Sequence, residues 1–336
     1  MCPMKDEQWP IKDISIKKDV SNSTPFVLLH GTPPMKLLLP LIPVIIWAGN
    51  TVVNKLSVET MSPGAMSFYR WAVAVLVLTP FCLPPLLKNW QTIRPLLPKL
   101  AALASLGMVL NQSLGYFAAE STTATNMALI MALVPLISMF ISVPLLGAGI
   151  SLTGIGGAFM ALAGLVEMLT KGAPEALIEQ GINRGDGLVL IASLSYALYC
   201  VLLKRWQLKI KTLQSVYVQG LFAVFILFPL FLTSERVSLS AASLPLVGYA
   251  GIFASVLAPL CWLKAIEAIG ASRSAMFMNL MPAMTALIAV YTLGETLAQY
   301  HYIGGLMVLC GVAISQMKNK EKIKKNQENL QSCRAA

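Results

Sequence analysis

The amino-acid sequence predicts an all-α integral membrane protein with ten transmembrane helices, arranged as two inverted five-helix repeats around a central cavity. Three observations predict this fold class: an apolar composition, ten stretches long enough to cross a bilayer, and a second half that repeats the first. Of the 336 residues, 56% are apolar and 12% are charged, with a mean hydropathy of +0.70. Soluble domains carry about 25% charged residues, so lipid is the expected solvent for most of this chain.

The composition also excludes several classes of protein. The six cysteines are scattered without a C-x-x-C pair, and the two histidines, His30 and His301, lie far apart. Neither pattern is typical of a disulfide framework or a zinc site, so we predict no metal and no cofactor. The net charge of +10 lies in short stretches between the apolar runs, which is typical of membrane topology and not of nucleic-acid binding.

Each of the ten apolar stretches approaches or exceeds the length of about 20 residues that a helix needs to cross a bilayer. In chain order, spans 1 to 10 are residues 36–55, 64–86, 97–118, 122–146, 150–170, 186–204, 211–232, 244–266, 272–293 and 298–317. The predicted domains are a disordered cytoplasmic tail (1–35), a first repeat (36–170), a connecting loop (171–185), a second repeat (186–317) and a basic cytoplasmic tail (318–336).

The distribution of basic residues predicts the orientation. With a cytoplasmic N-terminus, the segments on the cytoplasmic side hold 20 Lys and Arg residues, and those on the opposite side hold 4. Because cytoplasmic loops carry an excess of Lys and Arg, both termini are expected in the cytoplasm. The basic C-terminal tail is expected to contact anionic lipid, and the short loops favour a bacterial inner membrane.

The second half of the chain repeats the first. Five residues recur 147 positions later in the chain: Glu120, Pro135, Gly147, Gly157 and Gly164 correspond to Glu267, Pro282, Gly294, Gly304 and Gly311. Nearer the start of each half the offset is 149, which pairs Trp47 with Tyr196, Asn50 with Tyr199, Lys55 with Lys204 and Arg70 with Gln219. Such self-similarity indicates an internal repeat. Each half has an odd number of spans, so the second copy must be inverted, as in many secondary transporters whose substrate binds near the midplane.

The family resemblance rests on this whole register. Ten spans in two inverted fives, a proline in spans 4 and 9, and the stretch P-x-x-x-x-L-x-A-x-x-x-L-G-E at residues 282–295 before a glycine-rich last span resemble the EamA-type branch of the drug/metabolite transporter superfamily. The resemblance implies a basket of helices around a central cavity, with spans 5 and 10 as outer supports, and export or exchange of small molecules. Ala148 departs from the acid that often ends the family's first repeat, so a mechanism with paired acids is not expected.

Polar side chains within the spans are the candidate substrate-binding residues, because such groups are costly in lipid. In span 1, Trp47, Asn50 and Asn54 form one stripe, and Tyr196 and Tyr199 lie in span 6. They either join helices by hydrogen bonds or line a cavity, and their repeat relation favours the cavity. The full candidate set is Trp47, Asn50, Arg70, Asn111, Tyr196, Tyr199, Trp262 and Asn279.

Arg70 is the most informative of these residues. It lies about two turns into span 2 from the predicted outer side. An arginine at that depth needs an anion, either a substrate carboxylate or phosphate or a protein acid. The alternative is that its long side chain reaches the outer lipid headgroups.

The prolines and acids have structural alternatives as well. Pro135 and Pro282 either kink their helices statically, which needs no ligand, or act in gating through freed carbonyls. Glu120 and Glu267 are expected to cap the helices that follow them or to meet headgroups, and Glu295 is expected to cap the start of span 10. Coupling of transport to protons is the less favoured role for these acids. The glycines of spans 5 and 10 predict close helix packing or a dimer surface.

The sequence therefore predicts a secondary transporter, an exporter or exchanger of small organic metabolites such as amino acids or related compounds, that works by alternating access. The alternative is an integral-membrane lipid-modifying enzyme or a lipid flippase. Because the acids are dispersed, no enzymatic activity is expected. The expected partners are a small-molecule substrate and the lipid bilayer, without nucleic acid, for a monomer or a homodimer.

Overall fold

The computed structural model describes residues 38–173 and 183–315, and all regular structure in these ranges is helical. The predicted tails and residues 174–182 of the predicted connecting loop lie outside the described residues. Within these two ranges, ten helices follow the order of the ten predicted spans. They are α1 (Leu41–Thr60), α2 (Pro63–Lys88), α3 (Trp90–Ala119), α4 (Ala124–Leu146), α5 (Leu152–Leu169), α6 (Arg184–Trp206), α7 (Thr212–Leu232), α8 (Ser243–Ile269), α9 (Ala271–Met278 with Met281–Leu293) and α10 (Gln299–Ser315).

The surface of this bundle suits lipid. In the described ranges, 9 helices are long and apolar enough to cross a membrane, and α10 contributes 17 described residues. Large apolar side chains point away from the bundle: Leu76, Phe159 and Phe225 are 73%, 71% and 79% exposed. Soluble monomers rarely expose apolar patches of this kind. The predicted multi-pass membrane fold is therefore confirmed.

The end of α1 differs from the prediction. Span 1 was expected to end at residue 55, but α1 continues to Thr60. The charge of Lys55 does not end the helix, because its ammonium donates hydrogen bonds to the backbone oxygens of Ala119 (2.6 Å) and Thr122 (2.9 Å). We call the end of the bundle that holds Thr60 and Ala119 the predicted outer end, and the opposite end the predicted inner end.

Two helices are interrupted at repeat-related positions. The helix α4 consists of α4a (Ala124–Met131) and α4b (Val134–Leu146), and α9 consists of α9a (Ala271–Met278) and α9b (Met281–Leu293). A proline occupies one of the first two positions of both α4b and α9b, where its missing N–H costs nothing. Pro135 and Pro282 therefore begin new helical segments.

Two other helices contain wide π-helical turns, again at matching positions. They lie at Ala104–Leu110 in α3 and at Tyr249–Leu257 in α8. A π-helical turn changes the backbone hydrogen-bonding pattern, and such turns frequently occur at functional sites. In this bundle they present backbone oxygens to neighbouring helices: Trp71 donates to the oxygen of Met108, and Ser195 donates to that of Leu106.

The two repeats are interleaved. The first helix of each repeat packs into the other repeat: α1 packs on α8 and α9b, and α6 packs on α3 and α4. The remaining helices pair across the repeats as α2 with α7 and α5 with α10. This arrangement is the two-fold relation that an inverted repeat requires.

Glycines set the distance between α5 and α10. A Cβ atom on Gly157 would lie 2.4 Å from the backbone oxygen of Gly311, and one on Gly164 would lie 2.5 Å from that of Gly304. The reciprocal distances, from Gly311 and Gly304, are both 2.6 Å. The four glycines are therefore used inside one chain, and the predicted alternative of a dimer surface does not hold for them.

The glycine contact predicts opposite effects for two adjacent substitutions. Alanine is a better helix former than glycine by about 1 kcal/mol, so Gly156→Ala, whose Cβ would meet nothing within 4 Å, should preserve or raise the melting temperature in detergent. Gly157→Ala forces α10 away and should lower the stability by about 1–3 kcal/mol. Equal melting temperatures for the two variants would contradict this close packing.

Candidate functional site

Arg70 lies at the centre of a polar cluster that joins four helices. Its side chain is 3% exposed. Its Nε donates a hydrogen bond to Ser255 Oγ (2.8 Å), and its Nη1 donates to Asn50 Oδ1 (3.2 Å) and Tyr116 OH (3.3 Å). These partners come from α8, α1 and α3, so one guanidinium connects both repeats.

The partners are oriented by bonds of their own. Ser255 lies in the wide turn of α8, where its hydroxyl donates to the backbone oxygen of Ala250 (2.8 Å) and leaves its lone pairs for Arg70. The amide nitrogen of Asn50 points to Asn54 Oδ1 (3.4 Å), so its oxygen faces the guanidinium. The sequence stripe of Asn50 and Asn54 thus serves to aim an acceptor at Arg70.

The charge of Arg70 is not neutralised by the groups that hold it. All its hydrogen-bonding partners among the described residues are neutral, and Nη2 has no protein partner within that part of the chain. A buried charge without a counterion is costly, and an arginine carries its charge at any physiological pH. An anion placed at Nη2 would supply the counterion that these neutral partners do not. The low exposure of Arg70 speaks against the headgroup alternative in this conformation.

Gln219 occupies the repeat-related position in α7. It is 1% exposed, and its Nε2 donates to Ser215 Oγ (2.9 Å). Its Oε1 is buried and has no hydrogen-bond partner among the described residues. Arg70 and Gln219 each lie seven positions after the first residue of their helices, which is about 10 Å from opposite ends of the bundle. The two repeats thus supply one charged and one neutral polar group.

Four candidate aromatic residues form two pairs. Trp47 and Trp262 have ring centroids 5.8 Å apart, and Tyr196 stacks on Tyr199 at 5.5 Å. Trp47 is also fixed by a hydrogen bond from Nε1 to the backbone oxygen of Ala254 (3.1 Å). All four rings are half-buried, so each pair can offer part of an apolar face to a ligand.

Asn111 and Asn279 have different surroundings. Asn111 is buried, and its amide donates to the backbone oxygen of Ala192 in α6 (3.0 Å). This bond fits the alternative of helix–helix contact. Asn279 is half-buried and lies in the interruption of α9, two residues before α9b begins at Met281. The structure therefore does not bring these two residues into the Arg70 cluster.

Glu295 caps a different helix from the one expected. Its carboxylate accepts hydrogen bonds from the backbone N–H groups of Ala124 (2.7 Å) and Thr125 (3.1 Å) and from the Thr125 hydroxyl (2.7 Å). The prediction that it caps the start of α10 is wrong. The first N–H groups of a helix lack intrahelical acceptors, and α9b ends where α4a begins, so the acid satisfies α4a and joins the repeats.

Glu120 and Glu267 do not cap the helices that follow them. Both are exposed. Thr123 caps α4a through the N–H of Asn126 (3.1 Å), and α9a has no side-chain cap. The capping prediction is wrong for these two acids because other groups, or none, occupy the helix starts, and the headgroup alternative stays a prediction.

Asp186 is a buried acid that the sequence analysis did not single out. It is 5% exposed, and its Oδ1 accepts hydrogen bonds from Thr122 Oγ1 (2.5 Å) and Asn126 Nδ2 (3.4 Å). It thereby joins α6 to the start of α4. Asp186 is the first residue of predicted span 6, a place where an acid is usually solvated. The packing of α6 into the first repeat explains its burial.

Comparison with known proteins identifies both halves of the chain. The model of the EamA-like transporter family matches residues 34–170 and again residues 183–317. The chain also aligns with most of the length of two curated relatives. An uncharacterized transporter of Archaeoglobus fulgidus is 28% identical over 84% of this chain and 98% of its own, and the uncharacterized transporter YyaM of Bacillus subtilis is 27% identical over 77% and 86%.

A solved crystal structure supports the fold. It superposes with a TM-score of 0.58 over 84% of this chain and 96% of that chain, at 16% identity. At this identity the likeness concerns the fold alone.

The Glu295 cap predicts local protection of the start of α4. In Glu295→Ala, the amides of Ala124 and Thr125 lose a charged acceptor, and their hydrogen exchange should accelerate about tenfold or more. Exchange measured by mass spectrometry on the purified protein tests this. Glu120→Ala, at the same end and exposed, is the matched control and should leave these amides unchanged. Equal exchange in the wild type and Glu295→Ala would contradict the cap.

Proposed function

Because this chain belongs to the EamA-like transporter family, we propose that it is a secondary transporter that exports or exchanges small organic solutes by alternating access. The family and the curated relatives are transporters and not enzymes. The direction of transport, the substrate class and the transport cycle are the proposal.

The observation that carries the substrate class is the uncompensated charge of Arg70. Its three hydrogen bonds go to neutral groups, and Nη2 stays free of protein partners among the described residues. A substrate carboxylate that binds at Nη2 would supply the missing counterion through a charge-assisted hydrogen bond. Substrate binding would then offset the desolvation cost of the buried Arg70 charge.

The other candidate residues favour an amphipathic solute. The paired aromatic rings of Trp47 with Trp262 and of Tyr196 with Tyr199 can cover an apolar substituent. Gln219 Oε1, which lacks a protein donor in the described ranges, can accept a hydrogen bond from an ammonium or hydroxyl group. An amino acid or a related metabolite combines these three features.

The site would discriminate against neutral analogues. In a desolvated site, a ligand that fails to satisfy a buried charged group loses far more affinity than one that lacks a methylene. An amino-acid amide, which is similar in size but lacks the negative charge, should therefore be a poor substrate. We propose the bacterial inner membrane as the location, which the short loops favour. We also propose that both termini lie in the cytoplasm, as the distribution of Lys and Arg predicts.

Counterflow in proteoliposomes tests this function. The wild type, loaded with unlabelled amino acids, nucleosides or sugars, should accumulate label from a pool that contains carboxylates. Arg70→Met should lose this exchange at least tenfold, because it removes a charge-assisted hydrogen bond to the substrate. Ser255→Ala removes the hydrogen bond from Arg70 Nε but keeps the charge of Arg70, so it should retain partial exchange.

The matched control is Arg236→Met, an exposed arginine near the predicted outer end. It should exchange label as the wild type does. Equal exchange by the wild type and Arg70→Met would remove Arg70 from the substrate site. Exchange of neutral solutes alone by folded wild type would overturn the anionic substrate class.

A further inference from the structure

The two ends of the bundle are packed differently, although the repeats that form them correspond residue by residue. At the predicted outer end, the last segment of α3, Asn111–Ala119, packs against both α1 and α2. Its counterpart in α8, Ala258–Ile269, makes no comparable packing with α6 or α7 among the described residues. The bundle is therefore closed at the predicted outer end and spread apart at the predicted inner end.

Side-chain exposure shows the same difference. Leu129 in α4a is 6% exposed, whereas its repeat mate Met276 in α9a is 60% exposed. Both are unbranched-at-Cβ apolar residues of similar size, so the difference reflects their surroundings. The α4a segment is covered by α9b and α6, and α9a lacks an equivalent cover in the described part of the chain.

Two lysines at repeat-related positions show the same difference between the two ends. Lys55, near the outer end of α1, is half-buried and donates to the backbone oxygens of Ala119 (2.6 Å) and Thr122 (2.9 Å). Its repeat mate Lys204, near the inner end of α6, is exposed, and no hydrogen bond within the described ranges involves its amine. The same residue type is thus engaged at the closed end and free at the open end.

The partners of Lys55 explain why a lysine fits there. The last carbonyls of a helix have no intrahelical donors, and this end of the helix carries partial negative charge. The ammonium of Lys55 therefore ties α1 to the end of α3 without needing an acid. The matching carbonyls at the end of α8 belong to Ile266 and Ile269, 147 residues further along.

We propose that Lys55 and Lys204 are paired latches that hold opposite ends of the transporter closed in turn. The present conformation has the Lys55 latch closed. In the opposite conformation, α6 approaches the end of α8, Lys204 donates to the oxygens of Ile266 and Ile269, and Lys55 is released. This inference rests on the proposed alternating access. When Lys55 is released and Lys204 engages, each repeat adopts the conformation that the other repeat had before.

The test measures the two conformations without any substrate. In a background with all six cysteines replaced, Leu129→Cys and Met276→Cys report the outer and inner ends. Their alkylation rates are measured in detergent with a water-soluble maleimide. In the parent protein, the cysteine at position 276 should react fast and that at position 129 slowly, in line with the exposures of Met276 (60%) and Leu129 (6%).

The latch variants should move the two rates in opposite directions. Lys55→Met should raise the rate at position 129 at least tenfold, because the variant loses two charge-assisted hydrogen bonds and the loss of one corresponds to about tenfold. It should lower the rate at position 276. Lys204→Met should do the reverse, and the double variant should lie between them. Lys209→Met, another exposed lysine at the predicted inner end, is the control and should change neither rate.

Two other outcomes contradict the proposal. A rise at both positions in Lys55→Met would mean that Lys55 only supports the fold, and unchanged rates in Lys204→Met would make Lys204 a surface charge. Should Lys55→Met fail to fold, the labelling rates of Lys204→Met still test the proposal. Lys55→Arg keeps the hydrogen-bond donors and should be labelled at the rates of the parent protein. Because labelling needs no solute, a failed counterflow assay would not be mistaken for a failed latch.

Discussion

The buried guanidinium of Arg70 is the interaction on which the rest of the structure depends. It holds α1, α3 and α8 to α2 through three hydrogen bonds to neutral groups, so the cluster joins both repeats and still retains a positive charge. The wide turn of α8 points the Ser255 hydroxyl oxygen at this charge, and the asparagine stripe of α1 points the Asn50 amide oxygen at it. A bundle that keeps an unneutralised cation in a low-dielectric interior bears a cost that an anionic substrate would relieve.

The inverted repeat explains why the two ends differ. The segment that ends in Glu295 caps α4a at the predicted outer end, whereas its copy ends in Ala148, and the start of α9a has no side-chain cap. Lys55 and Asp186 add further bonds at the outer end. The two repeats thus make unequal contacts at the two ends of the bundle. Under the proposed alternating access, an acid in one copy only would favour the conformation that is closed at the predicted outer end.

The sequence predicted the helices better than their contacts. Apolar length located the ten helices, and the recurrence of Pro135 as Pro282 located the repeat. The partners of Glu295 and Lys55 could not be predicted, because each bonds to backbone groups, which leave no mark in the side-chain pattern. Ser255 was missed because a single serine in an apolar run is typical of many helices. The interleaving of α1 and α6 brings these groups together, and it depends on contacts between residues far apart in the chain, such as Asn111 with Ala192 and Trp47 with Ala254.

A comparison of matched ligands would show whether Arg70 binds an anionic substrate. Thermal stability of the purified protein would be measured with pairs of solutes that differ only in charge, each amino acid beside its carboxamide, since a ligand that binds the folded state raises the melting temperature. If Arg70 binds an anionic substrate, at least one carboxylate should stabilise the protein, and its amide should need a roughly tenfold or higher concentration for the same shift. Equal shifts for the carboxylate and amide of every stabilising pair would contradict it.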